Sequence, residues 1–169
     1  MASTKLPDCG LYRTTKALPG HEEKIPAGLL VYFHNHSESG LPQVLAPDHP
    51  VHNRWHFHGP GILVRGLSWL ETLVPVLAEG FYVLRRDVPT VGGGRLPKNA
   101  LVQLGYKNDA TPILFIARER NPLAENDLFF AREGQVVSRD QLSALDRVLV
   151  QHEQPAPGAP NDDSTPPVH

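Results

Sequence analysis

KIPAGLLV at Lys24–Val31 returns as RLPKNALV at Arg95–Val102, and this recurrence decides the fold. Each copy runs basic, aliphatic, Pro, two loop residues, then an apolar run that reads as a strand. Upstream, Gly10-Leu11-Tyr12 is echoed by Gly80-Phe81-Tyr82, with Pro19 and Pro89 at matching distances beyond. Downstream, PQVL (Pro42–Leu45) matches PILF (Pro112–Phe115), and NRWHFHGPGILV (Asn53–Val64) lines up with NDLFFAREGQVV (Asn126–Val137). Leu70, Leu73, Val76 and Leu77 then match Leu142, Leu145, Val148 and Leu149. Blocks kept in this order predict two tandem copies of one unit of about 70 residues, the register drifting by a residue or so at loops.

Composition sets the outer bounds. The 169 residues are 40% hydrophobic, enough for a packed core over most of the length. A unit of about 70 residues is marginal alone, so the copies are expected to share an interface and form one body. Net charge is −2 and no basic run exceeds the pair Arg85-Arg86, so nucleic acid is not an expected partner. A single cysteine, Cys9, excludes an intramolecular disulfide framework and points to a reducing compartment. The start MASTKLPDCG lacks the apolar core of a signal peptide, and no stretch approaches 18 apolar residues. A cytoplasmic location without membrane contact is the expectation.

Along the chain, residues 1–9 read as a flexible lead-in, 10–78 as the first unit, 79–152 as the second, and 153–169 as a disordered Pro-rich tail. Strands are predicted at Gly10–Leu18, Leu29–His36, Gln43–Ala46, Arg54–His58 and Ile62–Arg65. PDHPVH (Pro47–His52) reads as loop because of its two prolines, and Leu67–Val74 has helical spacing. In the second unit, Gly80–Arg86, Ala100–Tyr106, Pro112–Arg118, Asp127–Ala131 and Gln135–Ser138 read as strands. PTVGGGRLP (Pro89–Pro97) reads as a mobile loop and Arg118–Asn126 as another. Ser138–Val150 is predicted as the best helix, with Ser138-Arg139-Asp140-Gln141 as a capping box and Leu142, Leu145, Val148 and Leu149 as its apolar stripe. The fold class expected is mainly β with minor α: two pseudo-repeats of about five short strands plus one helix. Five short strands, a long hairpin after the first, and a Leu-Tyr start resemble an SH3-like barrel at the level of strand plan. The chain lacks the aromatic-groove signature of true SH3 domains, so no ligand residues follow from that resemblance.

Chemistry concentrates in the first unit. His34, His36, His49, His52, His56 and His58 fall within 25 residues. His34/His36 and His56/His58 are His-x-His pairs, and residues two apart on a strand share a face. If their strands are neighbours, His34, His36, His56 and His58 converge as a zinc or iron site, with Asp48 and Glu38 as candidate carboxylates. Trp55 and Phe57 alternate with the second pair and read as core residues, which would turn His56 and His58 toward solvent. The second unit is an internal control: Gly105, Lys107, Phe129 and Ala131 stand where the first has His34, His36, His56 and His58, so the fold does not require imidazole there. HNHSESG (His34–Gly40) resembles the His-x-His-Pro-x-Gly zinc motif of JAB/MPN metalloproteases, with Ser37 in place of the proline. Gly28 and His34-x-His36 likewise resemble part of the cupin metal motif. Those resemblances imply zinc or iron at His34 and His36.

Cys9 has no activating base beside it in sequence, and Gly92-Gly93-Gly94 precedes a strand rather than a helix, which removes a phosphate cradle. With no complete catalytic constellation, the expected function is a non-enzymatic protein–protein interaction or adaptor module. It would bind a protein partner, or a second copy as a homodimer through edge strands. The alternative is a metal-binding enzyme or sensor, and a third reading is a small-molecule cleft between the units.

Overall fold

The structure, a computed structural model, describes residues 6–119 and 128–149. The first half holds β1 (Gly10–Thr14), β2 (Leu30–His34), β3 (Gln43–Leu45), β4 (His49–Val51), β5 (Arg54–His56), β6 (Ile62–Leu63), helix α1 (Leu67–Leu70) and β7 (Leu73–Pro75). The second holds β8 (Gly80–Leu84), β9 (Val88–Pro89), β10 (Arg95–Leu96), β11 (Leu101–Tyr106), β12 (Pro112–Glu119), β13 (Leu128–Phe130), β14 (Gln135–Val136), a 3₁₀ helix (Arg139–Ala144) and β15 (Leu145–Arg147). The protein is mainly β. No helix among the described residues is long and apolar enough to cross a membrane.

Each half builds an antiparallel sheet, of five strands in the first and six in the second. The first runs β6-β3-β2-β1-β7; in the second, β14 and β13 both pair β12, which continues as β12-β11-β8-β15. Registers agree: Tyr12 faces Val31 as Tyr82 faces Val102, and Thr14 faces Leu73 as Leu84 faces Leu145. So do the individual bonds. The Tyr12 hydroxyl donates to the Asp8 carbonyl at 2.8 Å, and the Tyr82 hydroxyl to the Ala78 carbonyl at 2.6 Å. Gly28 N–H reaches the Thr14 carbonyl and Asn99 N–H the Leu84 carbonyl, each at 2.8 Å. Both turn residues have positive φ (85° and 66°), where glycine or asparagine is favoured.

Each sheet carries its own core. Ile25, Val31, Phe33, Val44, Val64 and Trp69 fill the first, and Tyr82, Leu84, Val102, Leu104, Leu114 and Val137 the second. The cores meet because the first half sends Leu30, Leu11, Trp55, Phe57 and Val76 into the second. The β4–β5 hairpin is the main arm of that joint. Its turn is His52-Asn53, both at positive φ (49° and 64°), as a two-residue hairpin of the primed type needs. The hairpin lies on β11: Trp55 Nε1 donates to the Tyr106 carbonyl at 2.7 Å, and Gln103 Nε2 to the His52 carbonyl at 2.8 Å.

Four expectations need correction. The helix predicted over Ser138–Val150 does not form as one element: a 3₁₀ helix ends at Ala144 and the chain then extends as β15, residue 150 lying outside the described residues. Ser138 makes no side-chain cap, and Leu149 is 76% exposed, so the predicted stripe loses its last member. The outer edge of β8 decides the matter, because β15 completes its ladder, flanked by Arg85 N–H to Ala144 O and Val148 N–H to Phe81 O. For the same reason Leu67–Val74 is helical only to Leu70, after which β7 pairs β1. Pro47–His52 is not all loop: Pro50 sits in β4 opposite Trp55, on a two-stranded sheet where its missing N–H is tolerated. Pro89–Pro97 is a β9–β10 hairpin rather than a mobile loop, held by Thr90 Oγ1 accepting from Gly94 N–H and by burial of Val88 and Leu96. The predicted tail at 153–169, residues 120–126 of the Arg118–Asn126 loop, Asp127 at the start of the next predicted strand, and residues 1–5 lie outside the described residues.

Candidate metal site

The β1–β2 register places Gly10 opposite Phe33. Continued by one residue, it sets Cys9 opposite His34, and the two-residue strand period brings His36 to the same side. The geometry follows. Cys9 Sγ lies 3.3 Å from His34 Nδ1 and 3.7 Å from His36 Nδ1, and the two imidazole centroids are 4.1 Å apart. One ligand atom from each residue falls within 4.8 Å of the others. A tetrahedral zinc with Zn–S of about 2.3 Å and Zn–N of about 2.05 Å requires an S···N separation of about 3.6 Å, which the two observed distances bracket. Thiolate plus two imidazoles suits zinc and other borderline-soft ions.

Asn35 organises the surroundings. Its side-chain amide donates to the Pro7 carbonyl at 3.2 Å, tying the lead-in segment to the end of β2. Its backbone N–H donates to Cys9 Sγ at 3.4 Å. The Cys9 thiol in turn donates to Asn35 Oδ1 at 3.2 Å, and His36 Nδ1 lies 2.6 Å from the same oxygen. Uptake of an ion through Sγ and Nδ1 therefore displaces protons that Asn35 Oδ1 accepts in this arrangement. Cys9 is exposed, so an ion has access from solvent, and half-buried His34 also borders a cleft of about 640 Å³ walled by Leu11, Tyr32, Leu45, Trp55 and Phe57.

The structure does not bring His34, His36, His56 and His58 together on one ion. Among the described residues, the set with convergent ligand atoms is Cys9, His34 and His36. His56 and His58 instead stack with His49 on the hairpin, at ring separations of 5.4 to 6.2 Å. His34 and His56 both border the same cleft, but their ligand atoms do not converge on one point. Trp55 and Phe57 pack toward the second core as their alternation predicts, and His56 and His58 are exposed. Asp48 contacts His49 at 2.9 Å, while Glu38 is simply exposed. Cys9 escaped the sequence reading because its partners are 25 and 27 residues away. The signal that finds it is the antiparallel register of Gly10–Tyr12 with Val31–Phe33.

The second half puts Glu79 where the first has Cys9, just ahead of the strand-opening glycine. Its carboxylate accepts the Trp55 N–H at 3.1 Å, so the hairpin covers this place. Burial raises the Glu79 carboxyl to about 7, opposed by the Trp55 amide, the Arg54 charge and the Tyr106 amide. Between pH 4.5 and about 7 the folded protein keeps a proton that the unfolded chain has released. This group's contribution to stability therefore declines as pH rises through that window. Glu79→Gln keeps the acceptor but cannot ionise. Its urea midpoint should fall less between pH 5 and pH 8 than that of the wild type; an unchanged pH slope would remove Glu79 as the cause.

Set against models of known protein families, curated proteins and solved structures, the chain matches none.

Proposed function

We propose that this protein binds a zinc-class metal ion through Cys9, His34 and His36, on a scaffold made by duplicating one small β unit whose strand plan is SH3-like. The observation that carries the reading is the pair of S···N distances, 3.3 and 3.7 Å, around the separation a tetrahedral ion imposes. The other half supports it. Glu79, Gly105 and Lys107 stand at the places of Cys9, His34 and His36, so the donors serve the first unit rather than the fold. Three protein ligands leave one position of a tetrahedral ion for water or a further ligand, as a sensor or a metal enzyme requires. A second reading, an adaptor that pairs a partner strand or a second copy, is favoured by β7, a sheet edge that presents Val74 to solvent.

Cobalt titration of untagged protein tests the metal reading. Co²⁺ should bind with one equivalent and produce a thiolate-to-cobalt charge-transfer band. Cys9→Ser should abolish the band, and His34→Ala/His36→Ala should weaken zinc by more than the roughly 10–100-fold that an outer-shell change produces. Circular dichroism checks that the variants are folded. A wild type without the band, or a band that survives Cys9→Ser, sinks the proposal and leaves the adaptor reading.

A further inference from the structure

We propose that His49, His56 and His58 form a second, all-nitrogen site for a divalent ion of the copper, nickel or zinc class, independent of the Cys9 site. The hairpin fixes their positions. His49 and His56 are direct cross-strand partners, and His58 follows on the face of His56 two residues later. The ring centroids lie 5.4 Å (His49–His56), 5.7 Å (His56–His58) and 6.2 Å (His49–His58) apart. All three side chains are exposed, so each ring turns at little cost from its stacked orientation to point a nitrogen at a shared ion.

Asp48 supplies a feature that packing alone does not explain. Its Oδ2 lies 2.9 Å from His49 Nδ1, the carboxylate–imidazole arrangement that holds the proton on Nδ1 and leaves Nε2 as a lone-pair donor. Imidazole nitrogen suits copper, nickel and zinc, and no thiolate is present to select a softer ion. The hairpin does not need these rings to sit where it does. Trp55 and Phe57 on the opposite face provide the packing, and Asn53 and Trp55 provide polar anchors to Gln103 and Tyr106. The site therefore rests on a seated backbone, with His49 oriented by Asp48 and the exposed His56 and His58 rings able to turn toward it.

The test uses Cu²⁺ and the untagged full chain carrying Cys9→Ser/His34→Ala/His36→Ala, which removes the first site. Calorimetry should still show one equivalent of Cu²⁺, with nitrogen hyperfine structure in the electron paramagnetic resonance spectrum. Adding His56→Ala should weaken binding by roughly 10-fold or more, and adding His49→Ala/His58→Ala should abolish it, while His21→Ala leaves it unchanged. Unaltered Trp55 fluorescence shows that the hairpin is still seated. Absence of Cu²⁺ binding in the background variant, or binding indifferent to the hairpin histidines, overturns the second site. Failure of the thiolate site reads separately, as a missing cobalt charge-transfer band in the wild type.

Discussion

Trp55→Ala is expected to destabilise the protein by about 3 kcal/mol, the lower end of the range for removing a large aromatic from a packed site. The lower end applies because Trp55 is half-buried. Two losses combine. The indole packs against the second core from the first half, so its removal opens a gap between the units. Its Nε1 also donates to the Tyr106 carbonyl at 2.7 Å, and that carbonyl would be left unpaired at the joint, a penalty of about 1–3 kcal/mol. Trp55→Phe separates the two, since it fills most of the gap but restores no donor, and its cost should fall between wild type and alanine. Urea unfolding gives the magnitude. Hydrogen exchange gives the location: protection should fall first on β11 at Gln103 and Tyr106, before it falls on β1 and β2. The cobalt charge-transfer band proposed for Cys9 should persist in the folded variant, because the contacts among Cys9, His34 and His36 do not involve the indole. Equal loss of protection in both sheets would mean that the hairpin is not a separate arm.

What the sequence disclosed and what it withheld divide along one physical line. Each of the two motifs, KIPAGLLV and RLPKNALV, is local, and each runs into a strand, β2 and β11, as expected. The alternation of Trp55 and Phe57 with His56 and His58 is also local, and it correctly assigned inward and outward faces. The errors came where a distant partner chooses between local options. Leu142, Leu145 and Val148 suit a helix by spacing, but the open edge of β8 takes residues 145–147 as a strand. Pro50 reads as a loop residue until the hairpin gives it an edge to occupy. The candidate site shows the same division. His34 and His36 announce themselves as a pair, whereas Cys9 becomes a ligand candidate only through cross-strand register. His56 and His58, equally visible in the sequence, stack with His49 on the hairpin instead.

Gly105→Ala should be destabilising by about 1–3 kcal/mol or more, although a glycine-to-alanine change inside a strand ordinarily gains stability. A Cβ at Gly105 would stand 2.5 Å from the Asn53 carbonyl oxygen and 3.2 Å from the Phe115 ring. The first obstacle is backbone and cannot rotate aside, so either β11 or the tip of the hairpin must move. The Asn53–Gln103 and Gln103–His52 bonds would stretch with it. Equilibrium unfolding gives the sign, and a double-mutant cycle with Gln103→Ala should show strong coupling, because both changes act on one contact. A variant as stable as the wild type would mean that the hairpin does not sit on β11. The position matters because Gly105 is the counterpart of His34. The end of β11 is covered by the hairpin and needs a residue without a side chain, whereas the end of β2 stays accessible and carries an imidazole beside Cys9. Gly105→His, which writes the first unit's residue into the second, should be worse tolerated than alanine. The seat of the hairpin on β11 thus accounts for the glycine at this place.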